Sequence, residues 1–517
     1  MNDPVNGPGR TVRIIGAGPT GALLAILLQR RRYTVELYES RSDPRTAAAE
    51  SGRSINLALA DRGIHALQMA GVFPDIERLL LPMRGRLIHH LDGGTSLQPY
   101  GQRANELIHS ISRHKLNQAL LEVAARQPGV TVRFEHRFET ADFDAGTALI
   151  RDLRQDRLLS VPMQPLLATD GAGSSMRRRM TSLHLIDADE TDLEHGYKEL
   201  SIPADAAGRH RMTHDALHIW PRGNYMLIAL PNEDGSFTAT LFLAKHGGTS
   251  FDGLTEAAAI EEFLVGSFPD ACALMPNRIA EFQNNPIGFL GTVSASPWAH
   301  EGMAALIGDS AHAIVPFHGQ GMNCCFEDCM EFDACIGRQS SWKSVFAEFG
   351  ALRKPDTDAI AAMALDNYLE MRERVAHPKF QLQQALSLEL ERRFPQRFIP
   401  RYSMVMFHHE IPYRTALERG TIQAELLAEL TAGPVTTLAQ VDFERAEREI
   451  RSRLASLAGM TLVGPAVEQN APIRHQLIQK VEVHDVAGQD RPAQLAALEK
   501  DEGVVEAFAL STRGVRA

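Results

Sequence analysis

The stretch that most constrains this chain is TVRIIGAGPTGALLAILLQRRRYTVELYES, residues 11 to 40. Val12, Ile14 and Ile15 predict a short buried strand that stops at Gly16-Ala17-Gly18-Pro19-Thr20-Gly21. Ala22 to Leu28 then predict a helix laid on the sheet, and Thr34 to Tyr38 a second strand closed by Glu39. The three glycines have separate tasks: the tight turn, close approach of backbone to a pyrophosphate, and contact between helix and strand. The helix start offers unpaired N–H groups and the positive end of its dipole to phosphates. Glu39 stands where a carboxylate accepts hydrogen bonds from ribose hydroxyls. Strand, helix, second strand and terminal acid agree on a Rossmann-like α/β unit that binds a dinucleotide. They do not choose between FAD and NAD.

Two later segments favour the flavin. ATDGAGSSMRR, residues 168 to 178, follows an apolar run with Asp170-Gly171, and LIGDSAHAIVPFHGQGMN, residues 306 to 323, does the same with Gly308-Asp309. An isoalloxazine ring needs flat backbone on one side, which Gly319 and Gly321 allow. The helix entered through Met322 and Asn323 would stabilise negative charge on the reduced ring. Asp309 is suited to the ribityl hydroxyls. Taken singly, each acid reads equally well as a helix cap or turn; three such segments converging on one long cofactor account for all of them.

The combination resembles the single-component flavoprotein aromatic hydroxylases, which hold FAD through a Gly-rich loop, an Asp-Gly segment and a Gly-Asp segment. Arg113, in SISRHKLNQALL, matches the arginine of that family that contacts FAD ahead of a helix. More specific strings resemble the kynurenine 3-monooxygenase family: SGRSINLALADRGIHAL at 51 to 67, MRGRLIHHLDG at 83 to 93 and LQPYGQ at 97 to 102. Residues 218 to 244, DNYLEMRERV at 366 to 375 and RYSMVMFHH at 401 to 409 continue it. The similarity runs in order from about residue 11 to about residue 457.

This resemblance implies a carboxylate clamp made by Arg86 and Tyr100, completed by Asn367 and Tyr402. Arginine suits the task because its planar fork donates two parallel hydrogen bonds to one carboxylate. It also implies an aromatic slot. Met226, Ile228 and Leu230 lie on one side of a strand in NYMLIAL, and Thr240 and Phe242 do so in TATLFL. Ile108, Leu217, Phe317 and His318 match further apolar or flavin-adjacent positions. No catalytic side chain is implied, because the flavin carries the chemistry. The implied reaction is FAD-dependent, NADPH-consuming hydroxylation of L-kynurenine to 3-hydroxykynurenine by O2, through a flavin 4a-hydroperoxide. The alternative is a paralogous hydroxylase of a modified kynurenine or related aromatic amine in secondary metabolism.

The remaining signals are weaker. The net charge of -11 argues against a polyanion-binding surface, and Arg30-Arg31-Arg32 and Arg177-Arg178-Arg179 read as solvated faces rather than nucleic-acid contacts. The polar amino terminus holds no secretory apolar run, and no stretch is apolar enough to span a membrane. Four of five cysteines crowd into 324 to 335 without the paired spacing of a zinc site, which reads as buried thiols in a reducing cytoplasm. His89-His90 and His408-His409 read as surface or packing residues. A single fingerprint implies that NADPH binds transiently in a surface cleft; a homodimer is left open.

The expected layout is an FAD-binding domain over 10–190 that already includes part of the substrate region. The substrate-domain sheet spans 191–290, and the final FAD-domain segment 291–340. A helical cap follows over 341–457, and an extension of unknown role over 458–517.

Overall fold

In the computed structural model the described residues are 10–46, 56–374 and 377–457, all within one compact unit. The 458–517 extension and residues 51–55 of the quoted string lie outside them. Among the described residues, no helix is long and apolar enough to cross a membrane.

Two six-stranded sheets organise the unit. The first runs Ala299–His300, Ala304–Leu306, Leu166–Ala168, Thr11–Ile15, Thr34–Glu39, Val130–Phe134, all parallel except the antiparallel pairing of Ala299–His300 with Ala304–Leu306. Its central strands are short and apolar because helices cover the sheet, as a parallel sheet requires. The helix Pro19–Arg30 buries every residue from Gly21 to Leu28. It ends at Arg30, and Arg31 pairs with Asp333 of the helix Gly321–Arg338 at 2.5 Å.

Register explains why three remote segments meet. Ile15 lies beside Ala168, and Ala168 beside Leu306. The loops that follow these strands therefore emerge side by side at the carboxyl ends of a parallel sheet, where α/β folds bind ligands.

The second sheet runs His195–Ile202, Phe237–Ala244, Met226–Pro231, Leu217–Pro221, Gly85–His89, Thr95–Pro99. Two of its strands thus come from upstream of residue 191. Pairing of Met226 with Phe242, Ile228 with Thr240 and Leu217 with Arg86 puts these side chains on one face. The opposite face, with Leu227, Ala229 and Leu241, packs against Ile260, Leu264, Phe268 and Phe282 from helices downstream.

The carboxy-terminal part is helical. Trp342–Leu369 is followed by a π-helical turn over Glu370–Arg374, then by Pro378–Arg393, Arg401–Phe407, Tyr413–Leu430 and Phe443–Arg453. Arg62 fastens this region to the flavin side. It is fully buried, pairs with Glu327 at 2.6 Å, lies 3.9 Å over the Tyr413 ring and donates to the carbonyls of Val405, His408 and Ile411. A buried cation is tolerated only with such a complete set of partners.

One expectation is corrected here. Arg177 is not part of a solvated face. It is buried, donating to the carbonyl of Ser310 at 2.8 Å and to that of Ala172, and pairing with Glu190 at 2.5 Å. The guanidinium thereby laces the Asp170 loop to the Asp309 loop.

Candidate active site

The cofactor end begins at the glycine loop. Gly16 has φ of +97°, and a Cβ there would run into the carbonyl of Thr169; a Cβ on Gly21 would strike the carbonyl of Gly16. In front of Gly18 nothing lies within 4 Å, leaving open space at the helix start. Thr169 locks the turn by hydrogen bonding to the carbonyls of Ile15 and Gly16 at 3.0 and 2.8 Å.

The Glu39 carboxylate accepts the Ala17 N–H at 2.9 Å and the Arg41 Nε–H at 2.9 Å. Burial opposes its ionisation, but Arg41 and the backbone donors prevail and hold its pKa below the usual carboxylate range. One oxygen of Asp170 accepts the N–H groups of Ser175 and Met176, while the other is buried without a partner; burial pushes its pKa up. Gly171 has φ of +78° and borders open space. This donor set, with a cradle any side chain would fill and an unanswered helix start, fits the pyrophosphate and ribose of FAD.

A single cavity of about 340 Å³ runs from Pro19, Thr20 and Asp309 to Arg86 and Tyr402. Of the residues expected at the cofactor, Arg113, Asp309, Gly319, Gly321 and Met322 line it. Of those expected at the substrate, Arg86, Tyr100, Ile108, Leu217, Ile228, Leu230, Thr240, Phe242, Phe317, His318 and Tyr402 line it.

Three expected contacts are placed differently. Asn323 is buried behind the wall: its carbonyl oxygen accepts the Ala60 N–H and its amide donates to the carbonyls of Ala58 and Gly319. It braces the loop, as does Asn367, whose amide donates to the Phe317 carbonyl at 2.6 Å. Met226 shares the face of Ile228, but it sits two residues along the strand, packed in a core cluster with Ile219, Phe242 and Phe317.

Arg86 forms the polar end. It is 5% exposed, with its guanidinium 4.8 Å from the Tyr402 ring and 5.8 Å from the Tyr100 ring. These two rings stack at 5.7 Å, and His318 stacks on Tyr402 at 5.1 Å. The one ion pair of Arg86 among the described residues is with Glu370, at 3.4 Å, and its Nε is buried without a partner. Burial works against the charge, but Tyr402, Glu370 and Tyr100 raise the Arg86 pKa. Burial, with Arg401 nearby, pulls His318 down to about 3, so it stands in the site as a neutral ring. The arrangement can seize one carboxylate and hold an apolar ring along the wall leading to the flavin loops.

Several wall residues escaped the sequence reading, among them Ala58, Met83, Tyr197, Phe289, Ile314 and Met371. Of these, Met371 falls inside the quoted DNYLEMRERV string. Its signal was the helical spacing from Asn367.

Comparison with known proteins agrees with this site. The FAD binding domain family matches residues 10–334. The chain is 47% identical over 450 residues to a kynurenine 3-monooxygenase of Stenotrophomonas maltophilia (strain K279a), covering 87% of this chain and 98% of that one. It is 43% identical over 444 residues to a kynurenine 3-monooxygenase of Myxococcus xanthus (strain DK1622), covering 86% and 95%. Among solved structures, the tetrameric form of 2-methyl-3-hydroxypyridine-5-carboxylic acid oxygenase superposes with a TM-score of 0.58 at 19% identity, over 74% of this chain and 98% of that one. P. aeruginosa PqsL in complex with 2-aminobenzoylacetate does so at 0.56 and 19%, over 71% and 97%. These two share the fold. With identity this high along most of its length, and a glycine cradle built for FAD, the chain belongs to the kynurenine 3-monooxygenase family.

Proposed function

We propose that the protein hydroxylates L-kynurenine on the ring carbon ortho to the aniline nitrogen, giving 3-hydroxykynurenine and consuming NADPH and O2. The observation that carries this reading is the under-satisfied Arg86 guanidinium at one end of a cavity whose other end reaches the flavin-holding loops. When bound, FAD supplies hydride acceptance and oxygen activation.

The chain's own residues bind, orient and exclude water. Arg86 offers its fork to the substrate carboxylate, with Tyr100 and Tyr402 beside it. Ile108, Leu217, Ile228, Leu230 and Phe242 hold the aromatic ring in an apolar slot, where Thr240 is the polar exception. The loop at Phe317 and His318 closes the slot near the flavin, and Asn367 fixes that loop from behind. The aniline group activates its own ring, so no protein nucleophile is needed; the contribution of the site is position and dryness. All five cysteines are free and buried, which suits a reducing cytoplasm. The single nucleotide fingerprint suits transient NADPH binding.

The test is the purified yellow protein given NADPH under air, with and without L-kynurenine. The expected outcome is faster NADPH consumption with L-kynurenine and 3-hydroxykynurenine as product, faster than with ring-substituted analogues. Consumption indifferent to kynurenine, with hydrogen peroxide as the sole product, would sink the reading.

A further inference from the structure

We infer that the half-exposed ring of Phe289, with the Tyr197 ring on the same rim, forms a seat at the cavity mouth for the nicotinamide ring of NADPH. The inference rests on the reading that NADPH reduces the flavin of this protein.

Phe289 is 51% exposed and also lines the cavity, so it stands where the cavity meets solvent. A lone exposed apolar side chain is ordinary. This one is seated. A Cβ on Gly291 would run into the Phe289 ring, so that ring lies on bare backbone. A Cβ on Gly288 would run into the Tyr197 ring, and Tyr197 lines the same cavity. Such close approach of a side chain to the backbone needs glycine. Both rings are thereby held in place, with Phe289 still open to solvent.

The seat is fastened to the cofactor end. The strand Gly291–Ser296 pairs with Asp187–Asp192, and its Val293 N–H donates to the carbonyl of Ala313 at 2.8 Å, in the loop that follows Asp309. Glu190, opposite Val293, pairs with Arg177, the guanidinium that laces the Asp170 and Asp309 loops. Burial and Glu199 raise the Tyr197 pKa and Arg113 opposes the rise, so an arginine expected at FAD acts on that ring.

Hydride transfer dictates the occupant. The dihydronicotinamide must lay its C4 against the flavin N5, give one hydride, a proton with two electrons, and leave as the nicotinamide cation. The chain carries one dinucleotide fingerprint, which FAD occupies, so the nicotinamide must be held by side chains close to the flavin loops. A planar ring stacks on an aromatic face, and the positive charge it acquires is attracted by that face.

The experiment uses the FAD-loaded, full-length protein. Saturation-transfer NMR with NADP+ reads which ligand protons touch the protein. Wild type is expected to saturate both nicotinamide and adenine protons. Phe289→Ala should lose the nicotinamide signal and keep the adenine one, and Phe289→Tyr should restore it; retained flavin absorbance shows that each variant is folded. In flavin reduction without O2, Phe289→Ala should need about 5-fold more NADPH for half-maximal rate, as for loss of one aromatic stacking contact. Its affinity for L-kynurenine, from flavin absorbance, should hardly change. A wild type without nicotinamide contact overturns the inference, as does a Phe289→Ala variant that keeps both that contact and the NADPH requirement. Lost kynurenine affinity with the nicotinamide contact retained overturns it too and assigns Phe289 to the substrate slot. In these cases NADPH still reduces the flavin and only the seat fails; if NADPH does not reduce the wild-type flavin, the underlying reading fails with it.

Discussion

The two faces of the second sheet treat buried polar groups in opposite ways, although the same strands supply both. Arg86 and His89 stand three residues apart on one strand and point to opposite sides. On the cavity side, Arg86 has one long ion pair and an unanswered Nε. On the other side, the ring nitrogens of His89 meet Asp270 at 2.7 Å and His218 at 2.9 Å. His218 in turn meets the Thr213 carbonyl at 2.7 Å, and the Trp220 indole donates to Asp270 at 2.9 Å. Burial opposes the charge on Asp270, yet His89 and Trp220 pull it down to about 2. The packed side closes its polar groups because an unpaired one costs stability. The cavity side leaves the Arg86 Nε without a partner.

Arg86→Ala should produce the largest effect and the sharpest test of this contrast. The dissociation constant for L-kynurenine should rise by 100-fold or more, about 3 kcal/mol, as for loss of one partner in a buried charged contact. FAD should remain bound and the thermal midpoint should barely move. A large fall in the midpoint with unchanged affinity would make Arg86 a structural residue like His89.

His89→Ala should do the reverse. It leaves Asp270, His218 and Trp220 with unmatched groups and a void, at a cost of about 2–3 kcal/mol in unfolding free energy. The folded fraction should still bind L-kynurenine with nearly wild-type affinity. Lost affinity at unchanged stability would erase the distinction between the faces.

The pH dependence of stability should come next. His318 is held down to about 3 and His218 to about 4, both chiefly by burial. Below the ordinary histidine value near 6.5 the unfolded chain gains a proton that the folded protein refuses. Stability therefore falls as pH falls through this range, by up to about 1.4 kcal/mol per pH unit for each ring. His318→Phe should flatten part of the slope between pH 6.5 and 4 in denaturant titrations. The carboxylate of Asp270 acts lower: its contribution is complete above about pH 4 and is lost towards 2, so Asp270→Asn should leave the slope from pH 6.5 to 5 unchanged. A slope indifferent to His318→Phe would contradict the buried neutral ring.

Tyr402→Phe should be the smallest change, a rise in KM of several-fold, about 1 kcal/mol, at an unaltered thermal midpoint. If only the midpoint moved, Tyr402 would belong with the packing residues.

Much of the site was legible because its signals are local or carried by resemblance. The fingerprint from Val12 to Glu39, the alternation of Ile228 and Leu230, and the strings holding Arg86, Tyr100 and Tyr402 could be read without tertiary information. Residues that act through a neighbour could not. Asn323 and Asn367 sit in the expected segments, yet their amides brace the backbone of Gly319 and Phe317. Met226 follows the right alternation and still misses the cavity, because alternation selects a face and not a position along it. Arg177 looked like a surface cation, since nothing nearby in sequence announces the carbonyls of Ala172 and Ser310 that bury it.

The amino-acid order alone determined the strand–glycine loop–helix unit and the apolar and polar alternation of the strands, because steric limits on the backbone and the two-residue period act over a few neighbours. Only the tertiary structure decided that the strands ending at Ile15, Ala168 and Leu306 lie side by side. It also decided that the Arg86 Nε is left without a partner while both ring nitrogens of His89 are paired. Pairing and desolvation depend on groups hundreds of residues apart, such as Glu370 for Arg86 and Asp270 for His89, and no local pattern encodes them.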